Sequence, residues 1–377
     1  MLLKDVIGQN KIKKQLIRTV KEERVSHAQL LTGPEGSGNL ALAIAFAQYI
    51  SCLNKVDNDS CGTCASCIKY QQFIHPDLHF VFPVNNTKSI TKEPKSDDFI
   101  SEWRESIIKN PYIRLNNWYD FIGIENKQGL ISKYESEAII RKLNLKSFES
   151  DYKIMIIWHP EKMNIPAANK LLKLIEEPPD KTIFLLVTDS TDQIIPTILS
   201  RTQIVKFPKI ENSDLTEAIK EKYNLDDKKV DEIICLANGN YLKAIEIIDN
   251  NEEYTKNLER FIQLMRLCYS GKTLDIFSWI DEIAKLGRER QKNFLNYSIK
   301  MIRDNFLINF NQPEVVYLTE KENDFSKKFH PFINYTNVWQ ITEEINRAYN
   351  DIERNAYGRI VFLDFSFKLM KLIKAQN

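Results

Sequence analysis

Four cysteines, Cys52, Cys61, Cys64 and Cys67, fall within sixteen residues in the spacing C-x8-C-x2-C-x2-C. Two overlapping C-x2-C turns can aim three thiolates at one centre, and Cys52, at the end of the preceding helix, closes a tetrahedron. Four sulfur ligands leave no open coordination position, so the metal expected is a structural zinc. An iron–sulfur cluster also takes four cysteines, but nothing else in the chain suggests redox work. Buried free thiols are the bland alternative. In a chain expected to be cytosolic, such clustering argues for metal over disulfides. Cys235 and Cys268 sit on helical faces and read as core.

A second chemistry-bearing stretch is Gly33-Pro34-Glu35-Gly36-Ser37-Gly38-Asn39-Leu40. A phosphate-binding loop has the pattern G-x-x-x-x-G-K-[ST]. Its glycines turn backbone amides toward phosphate, and the helix that follows adds its dipole. Gly33 and Gly38 have the required spacing, and Gly36 lies between them. Asn39 stands where a lysine would neutralise phosphate charge, and Leu40 where a hydroxyl would hold Mg²⁺. The backbone cradle is therefore expected to persist without hydrolysis, because the transition state loses a cation and a metal ligand. The same residues also suit a plain glycine-rich turn. A competent ATPase of this kind further ends its third strand in Asp-Glu. Counting back from Glu176-Glu177, those places hold Trp158 and His159, and Glu161 comes two residues too late for a simple replacement.

The elements that must position these residues follow from hydrophobic patterning. Residues 1–208 alternate short apolar runs with helical stretches. The runs are Ala28–Gly33, Leu78–Val84, Lys153–His159, Thr182–Asp189 and Thr202–Phe207, which predicts a parallel sheet covered on both faces. Pro208 stops the last strand, and residues 209–250 read as a small helical unit broken at Gly239. Residues 251–377 are helical throughout. Apolar residues recur there at three- and four-residue spacing: Phe261, Leu264, Met265 and Cys268, then Ile276, Trp279, Ile280 and Ile283. Gly358–Ile373 is a strong apolar helix. Residues 85–131 mix polar turns with Trp103, Tyr112, Trp118, Tyr119 and Phe121, and read as an insertion or long loop carrying some helix, with no legible function. His75, before Pro76-Asp77, reads as a turn residue.

The 377 residues call for two or three domains, and 52 Lys+Arg against 51 Asp+Glu give a formal net charge of +1. Any DNA contact must then come from a local patch or a larger assembly. No apolar run approaches the ~18 residues of a membrane span, and the start lacks the marks of a signal peptide, so a cytoplasmic location is expected.

Several local stretches resemble the clamp-loader branch of the AAA+ ATPases: Ile7-Gly8-Gln9-Asn10, His27-Ala28-Gln29-Leu30-Leu31, the four-cysteine insertion followed by His75-Pro76-Asp77, Ala168 to Pro179 (ANKLLKLIEEPP), and Ile198-Leu199-Ser200-Arg201-Thr202-Gln203. The last is similar to the family's Ser-Arg-Cys motif, with Thr202 in place of Cys. Glu353-Arg354-Asn355-Ala356 resembles a delta-prime segment. The resemblance implies a RecA-like α/β AAA+ domain over 1–208 with a zinc-binding insertion at 52–67 and the long insertion at 85–131. It further implies an all-α three-helix lid over 209–250 and an all-α collar over 251–377 that joins neighbouring subunits in an open five-membered ring. The implied partners are gamma/tau and delta subunits, the sliding clamp and, through the assembled complex, primer–template DNA.

Asn39, Leu40, Trp158 and His159 depart from the ATPase pattern. So does Leu242, which stands, with Lys243 beside it, where a lid arginine would contact ATP. These losses point to the delta-prime type, with ATP binding doubtful at Gly33, Gly36, Gly38 and Asn39. Ser200-Arg201 keeps the arginine that the resemblance directs at the γ-phosphate of a neighbouring subunit. Without the resemblance, Arg201 reads as a surface arginine at a helix end. A gamma/tau-like ATPase with an atypical site and a free-standing zinc-bearing nucleic-acid module are the rival readings.

Overall fold

A computed structural model describes the chain except for residues 89, 125, 126, 250, 310–315, 317 and 375–377. Two compact units divide it: residues 1–230 with 237–245, and residues 231–236 with 246–377.

The first unit is built on five parallel strands: β1 (Ala28–Thr32), β2 (Leu78–Val81), β3 (Lys153–Trp158), β4 (Thr182–Thr188) and β5 (Gln203–Lys206), in spatial order β2-β3-β4-β1-β5. The register pairs Leu30 with Leu186 on one side and Ile204 on the other, and Ile156 with Leu185 and Phe80. Each strand lies within its expected apolar run. The central strands β1, β3 and β4 are buried at every residue, as continuous apolar runs require when both faces are covered. At the edge, β5 exposes Gln203, Ile204 and Lys206 and buries Val205. This is the parallel α/β sheet that the apolar runs predict. It places the carboxyl ends of β1, β3 and β4 side by side, where α/β sheets bind ligands.

The helix Asn39–Ser51 follows the glycine loop and is buried along its whole length against β1, β3 and β4. Its alternating alanines let it lie close to the sheet. After β5, helices run Asn212–Lys222, Asp227–Ala237 and Tyr241–Asp249, the last preceded by Gly239 at φ +77°.

Residues 85–131 read from the sequence as an insertion or long loop carrying some helix, and helix is present among their described residues. They carry helices Ile100–Lys109 and Leu115–Phe121 and return to β2's extension through a bridge between Val84 and Leu130. Trp103 and Trp118 are fully buried. Phe82 stacks on Trp103 at 4.2 Å and meets Trp118 edge-on at 5.0 Å, while the Trp118 indole donates to the Pro83 carbonyl at 2.9 Å. Aromatic pairs of this kind are worth ~0.5–1.5 kcal/mol each beyond their buried area. Of the aromatics that looked scattered in sequence, Trp103 and Trp118 form the core of this segment with Phe82, while Phe121 is exposed.

The second unit is helical: Asn251–Ser270, Thr273–Ala284, Arg288–Ile308, Glu320–Phe329, Val338–Glu353 and Gly358–Lys374. The two expected apolar stripes, Phe261 to Cys268 and Ile276 to Ile283, are buried in one core with Phe294, Ile345, Phe362 and Phe365. Glu322 is a buried carboxylate of this unit. Glu322 accepts from the Tyr254 and Tyr297 hydroxyls at 2.8 and 2.7 Å, from Lys300 at 2.8 Å, and from the Thr319 amide at 2.8 Å. Burial pushes its pKa up, but the Lys300 charge and these donors outweigh burial and hold it below the usual glutamate value.

Candidate functional site

The loop after β1 has the turn its glycines predict. Gly36 and Gly38 take positive φ, +75° and +86°, a conformation that other residues adopt only under strain. Gly38 is the N-cap of the helix Asn39–Ser51. The space that a side chain on either glycine would take is filled by the protein itself. A methyl group on Gly38 would lie 3.0 Å from the Tyr112 ring, and one on Gly36 would lie 2.0 Å from the Asn240 carboxamide oxygen. Tyr112 is buried, its hydroxyl accepts from the Ile7 amide at 2.8 Å, and its ring meets Tyr241 edge-on at 4.8 Å. The Tyr241 amide donates to the Gly36 carbonyl at 3.3 Å. Gln9 fastens the loop from behind, donating to the carbonyls of Ser37 (3.0 Å) and Pro208 (2.9 Å).

Asn39 turns toward the end of β4. Its amide nitrogen donates to the Thr188 carbonyl at 2.9 Å and to Asp189 at 3.3 Å, and its oxygen accepts from the Leu40 amide at 2.9 Å. Leu40 is buried hydrocarbon. Neither position offers a cation to phosphate or a hydroxyl to a metal.

At the end of β3, Trp158 packs on Trp103 at 5.1 Å, and His159 adopts a left-handed φ of +54° that swings the chain into the short turn Pro160–Lys162. That turn brings Glu161 back toward the sheet. Its carboxylate meets the His159 ring at 2.6 Å and accepts from the Thr188 hydroxyl at 3.0 Å. Burial raises the Glu161 pKa, yet the His159 hydrogen bond and charge prevail and leave it below its ordinary value. Asp189 lies on the other side of the balance: burial dominates and its pKa is raised. Beside the loop a cavity of about 340 Å³ is lined by Glu35, Glu161, Asp189 and Asp192 together with Arg114 and Lys162. Arg114 is committed to Glu35 at 2.8 Å. Carboxylates outnumber free cations around this space, the wrong sign for a polyphosphate.

Ser200 and Arg201 follow the short helix Pro196–Leu199. The Arg201 guanidinium donates to Glu176 at 3.1 Å, to the Thr197 carbonyl at 3.2 Å and to the Ser200 hydroxyl at 3.3 Å, and its side chain is 34% exposed. These partners hold a partly exposed cation at the surface.

The four cysteines converge. Their sulfurs all lie within 4.8 Å of one another, with Cys52 to Cys61 at 3.7 Å and Cys61 to Cys67 at 3.9 Å. A tetrahedron with metal–sulfur bonds of ~2.3 Å has edges of ~3.8 Å, whereas a disulfide needs ~2.05 Å. The group is therefore shaped to hold a metal ion. Amides of Cys61, Cys64 and Cys67 donate to the sulfurs of Cys52, Cys61 and Cys64 at 3.3–3.5 Å. Amides of Thr63 and Cys64 pull the Cys61 thiol down to about 6, while burial pushes Cys67 up. A bound cation would bring all four to thiolate. His75 lies outside this group. It is buried, stacks near Tyr70 at 4.6 Å and accepts from the Asp77 amide at 3.2 Å, a turn role.

Residues 8–211 match the family described as DNA polymerase III, delta subunit. The chain belongs to this family. Among relatives, the delta-prime subunit of DNA polymerase III from Bacillus subtilis is 26% identical over 314 residues, covering 82% of this chain and 80% of the relative. The Bacillus subtilis tau subunit is 27% identical over 95% of this chain, which spans only 59% of tau's length. A solved gamma subunit-related protein from Thermotoga maritima is 12% identical, covers 96% of this chain and 99% of its own, and superimposes with a TM-score of 0.46.

Within this polymerase III delta family member, sequence reading located the glycine loop, Asn39, the β3 end and the cysteine centre. It named Glu161 only as too late to replace the missing acid, and gave no role to Tyr112 or Asn240. Tyr112 reaches the loop from an insertion some seventy residues downstream in sequence, and nothing in its neighbours marks it. Gln9 stood in plain view inside a motif, without a role.

Proposed function

We propose that this chain is a delta-prime-type, non-hydrolysing subunit of the DNA polymerase III clamp loader. Residues 209–250 act as its lid and 251–377 as the collar through which it joins gamma/tau and delta subunits. The observation that carries this reading is a glycine loop closed in by the protein's own side chains, with no cation or hydroxyl at Asn39 and Leu40. Tyr112 sits on Gly38 and Asn240 on Gly36, with Asn39 spent on the end of β4. A fixed subunit of this kind gives the ATP-driven subunits something to move against while the ring opens the clamp and receives primer–template DNA. Arg201, with Ser200 beside it, is assigned to a neighbour's γ-phosphate, where an arginine delivered from another chain stabilises transition-state charge. Its half-exposed position, held by a surface carboxylate, suits such a loan. The cysteine centre takes zinc, which would lock the segment 52–67 and do no catalysis. The work is assigned to the cytoplasm at the replication fork; among the described residues no helix is long and apolar enough to cross a membrane.

The tau match over 95% of the chain favours the rival, a gamma/tau-like ATPase. The two readings separate in one experiment. The purified chain, titrated with a fluorescent ATP analogue and Mg²⁺, is expected to show no saturable binding and no ADP release above background. Steady turnover by the chain alone rejects the scaffold reading. In a reconstituted loader, Arg201→Ala should assemble normally while DNA-stimulated ATPase at the adjacent site drops by one to several orders of magnitude. Unchanged ATPase rejects the finger role.

A further inference from the structure

Away from the nucleotide loop, a groove of about 850 Å³ runs between the helix Asn10–Lys21 and the segment 56–61 that leads into the cysteine centre. We infer that this groove docks a short acidic peptide segment of a partner protein, anchored by a bulky apolar side chain.

One wall is a helical stripe. Asn10, Lys14, Ile17 and Lys21 recur at steps of four, three and four residues, so they share a face. Ile17 supplies hydrocarbon between the cations. The opposite wall is stiff. Val56 and Asp59 exchange backbone hydrogen bonds at 3.1 and 2.9 Å, and Cys61 is tied into the metal-ligand set. Leu2 and the half-exposed Val56 give the groove an apolar floor and lip. A preformed groove spares the ordering cost that weakens docking on mobile surfaces.

Charge selects the occupant. Five cations line the groove, Lys4, Lys13, Lys14, Arg18 and Lys21, against two carboxylates, Asp57 and Asp59. Asp59 is already satisfied by the amides of Leu3 (2.9 Å), Lys4 (2.9 Å) and Ser60 (2.7 Å). Arg18 is paired with Glu22 at 2.6 Å, and Lys13 donates to the Val6 carbonyl at 2.5 Å. Lys4 and Lys14 have no anionic partner among the described residues. In a chain whose net charge is +1, this is a concentrated positive site. No aromatic ring lines it to stack a base, and Asp57 and Asp59 interrupt any continuous phosphate track. Acidic residues flanking a leucine-sized side chain fit both the rim and the floor.

The test uses the full-length protein and a fluorescein-labelled peptide alternating aspartate with leucine, followed by fluorescence anisotropy at low and high salt. Saturable binding that weakens with salt is expected. The double variant Lys14→Glu/Lys21→Glu should lose about tenfold in affinity, equivalent to ~1.4 kcal/mol. Val56→Asp should lose a similar amount, and Lys11→Glu, an exposed change on the same helix that does not line the groove, should lose none. Circular dichroism melts establish that each variant is folded. The inference is overturned by absence of saturable peptide binding, by unchanged affinity in the double variant, by equal loss in Lys11→Glu, or by a labelled oligothymidylate binding in preference to the peptide.

Discussion

The carboxamide of Asn39 has two hydrogen-bonding ends, and both are occupied by the protein's own groups: the Thr188 carbonyl on one side and the Leu40 amide on the other. A lysine here would carry its charge past the loop; asparagine is too short to do so and instead ties the loop to β4. Tyr112 then lies against Gly38. Its ring is buried and its hydroxyl satisfies the otherwise free Ile7 amide, so Tyr112→Ala should destabilise the protein by ~3 kcal/mol or more, read as a lowered urea midpoint. The same variant titrated with the fluorescent ATP analogue should still fail to bind, because Asn39 and Leu40 are unchanged. Nucleotide binding restored by that single change would make Tyr112 the whole of the block. The cysteine centre and the glycine loop were readable from spacing, since a few bonds of chain fix their geometry. Tyr112 was not, because its place depends on the packing of an entire insertion.

That insertion is held as an element by one buried carboxylate. Glu135, on the helix Lys133–Asn144, accepts from the Ser96 amide at 2.6 Å, and Ser96 in turn exchanges hydrogen bonds with the Phe82 backbone at 3.0 and 3.2 Å. The entry to the insertion is thereby tied to the sheet. Burial is the largest influence on Glu135 and, against the opposing Ser96 amide, pushes its pKa up to about 7. A folded pKa raised above the unfolded value means stability present in full below about pH 4.5 and lost as pH rises through about 7. Glu135→Gln keeps an acceptor for Ser96 without the charge. At pH 8 it should be more stable than the parent by up to ~3 kcal/mol, and the difference should shrink to ~1 kcal/mol or less near pH 5. Paired urea melts at the two pH values check this, and a gain equal at both would remove Glu135 as its cause. Elements with continuous or periodic apolar patterns, such as β3, β4 and the Ile276 to Ile283 stripe, were legible because burial on fixed faces dictates their sequence. The insertion was not. Phe82, Trp103 and Trp118 satisfy one another across three segments, and no single segment displays the pattern.

For the molecule as a whole, 52 basic and 51 acidic side chains set a limit that no local motif changes. Affinity for nucleic acid in an isolated chain comes mainly from cations that displace counterions, and each phosphate neutralised steepens the salt dependence by ~0.9 in log–log slope on duplex DNA. Here the concentrated cations lie in the groove along Asn10–Lys21, where Asp57 and Asp59 share the walls. The isolated chain should accordingly bind primer–template DNA no more tightly than the ~10⁻⁴–10⁻⁶ M of non-specific binding, with a shallow salt slope. The proposed loader containing it should bind far more tightly and with a steep slope, because the contacts belong to the ring. Anisotropy of labelled primer–template DNA between about 50 and 200 mM salt, for the chain alone and for the reconstituted loader, measures both slopes. A steep slope from the chain alone would point to a self-sufficient DNA-binding module, and the scaffold reading would then have to yield to the rival in which the metal-bearing segment serves nucleic acid directly.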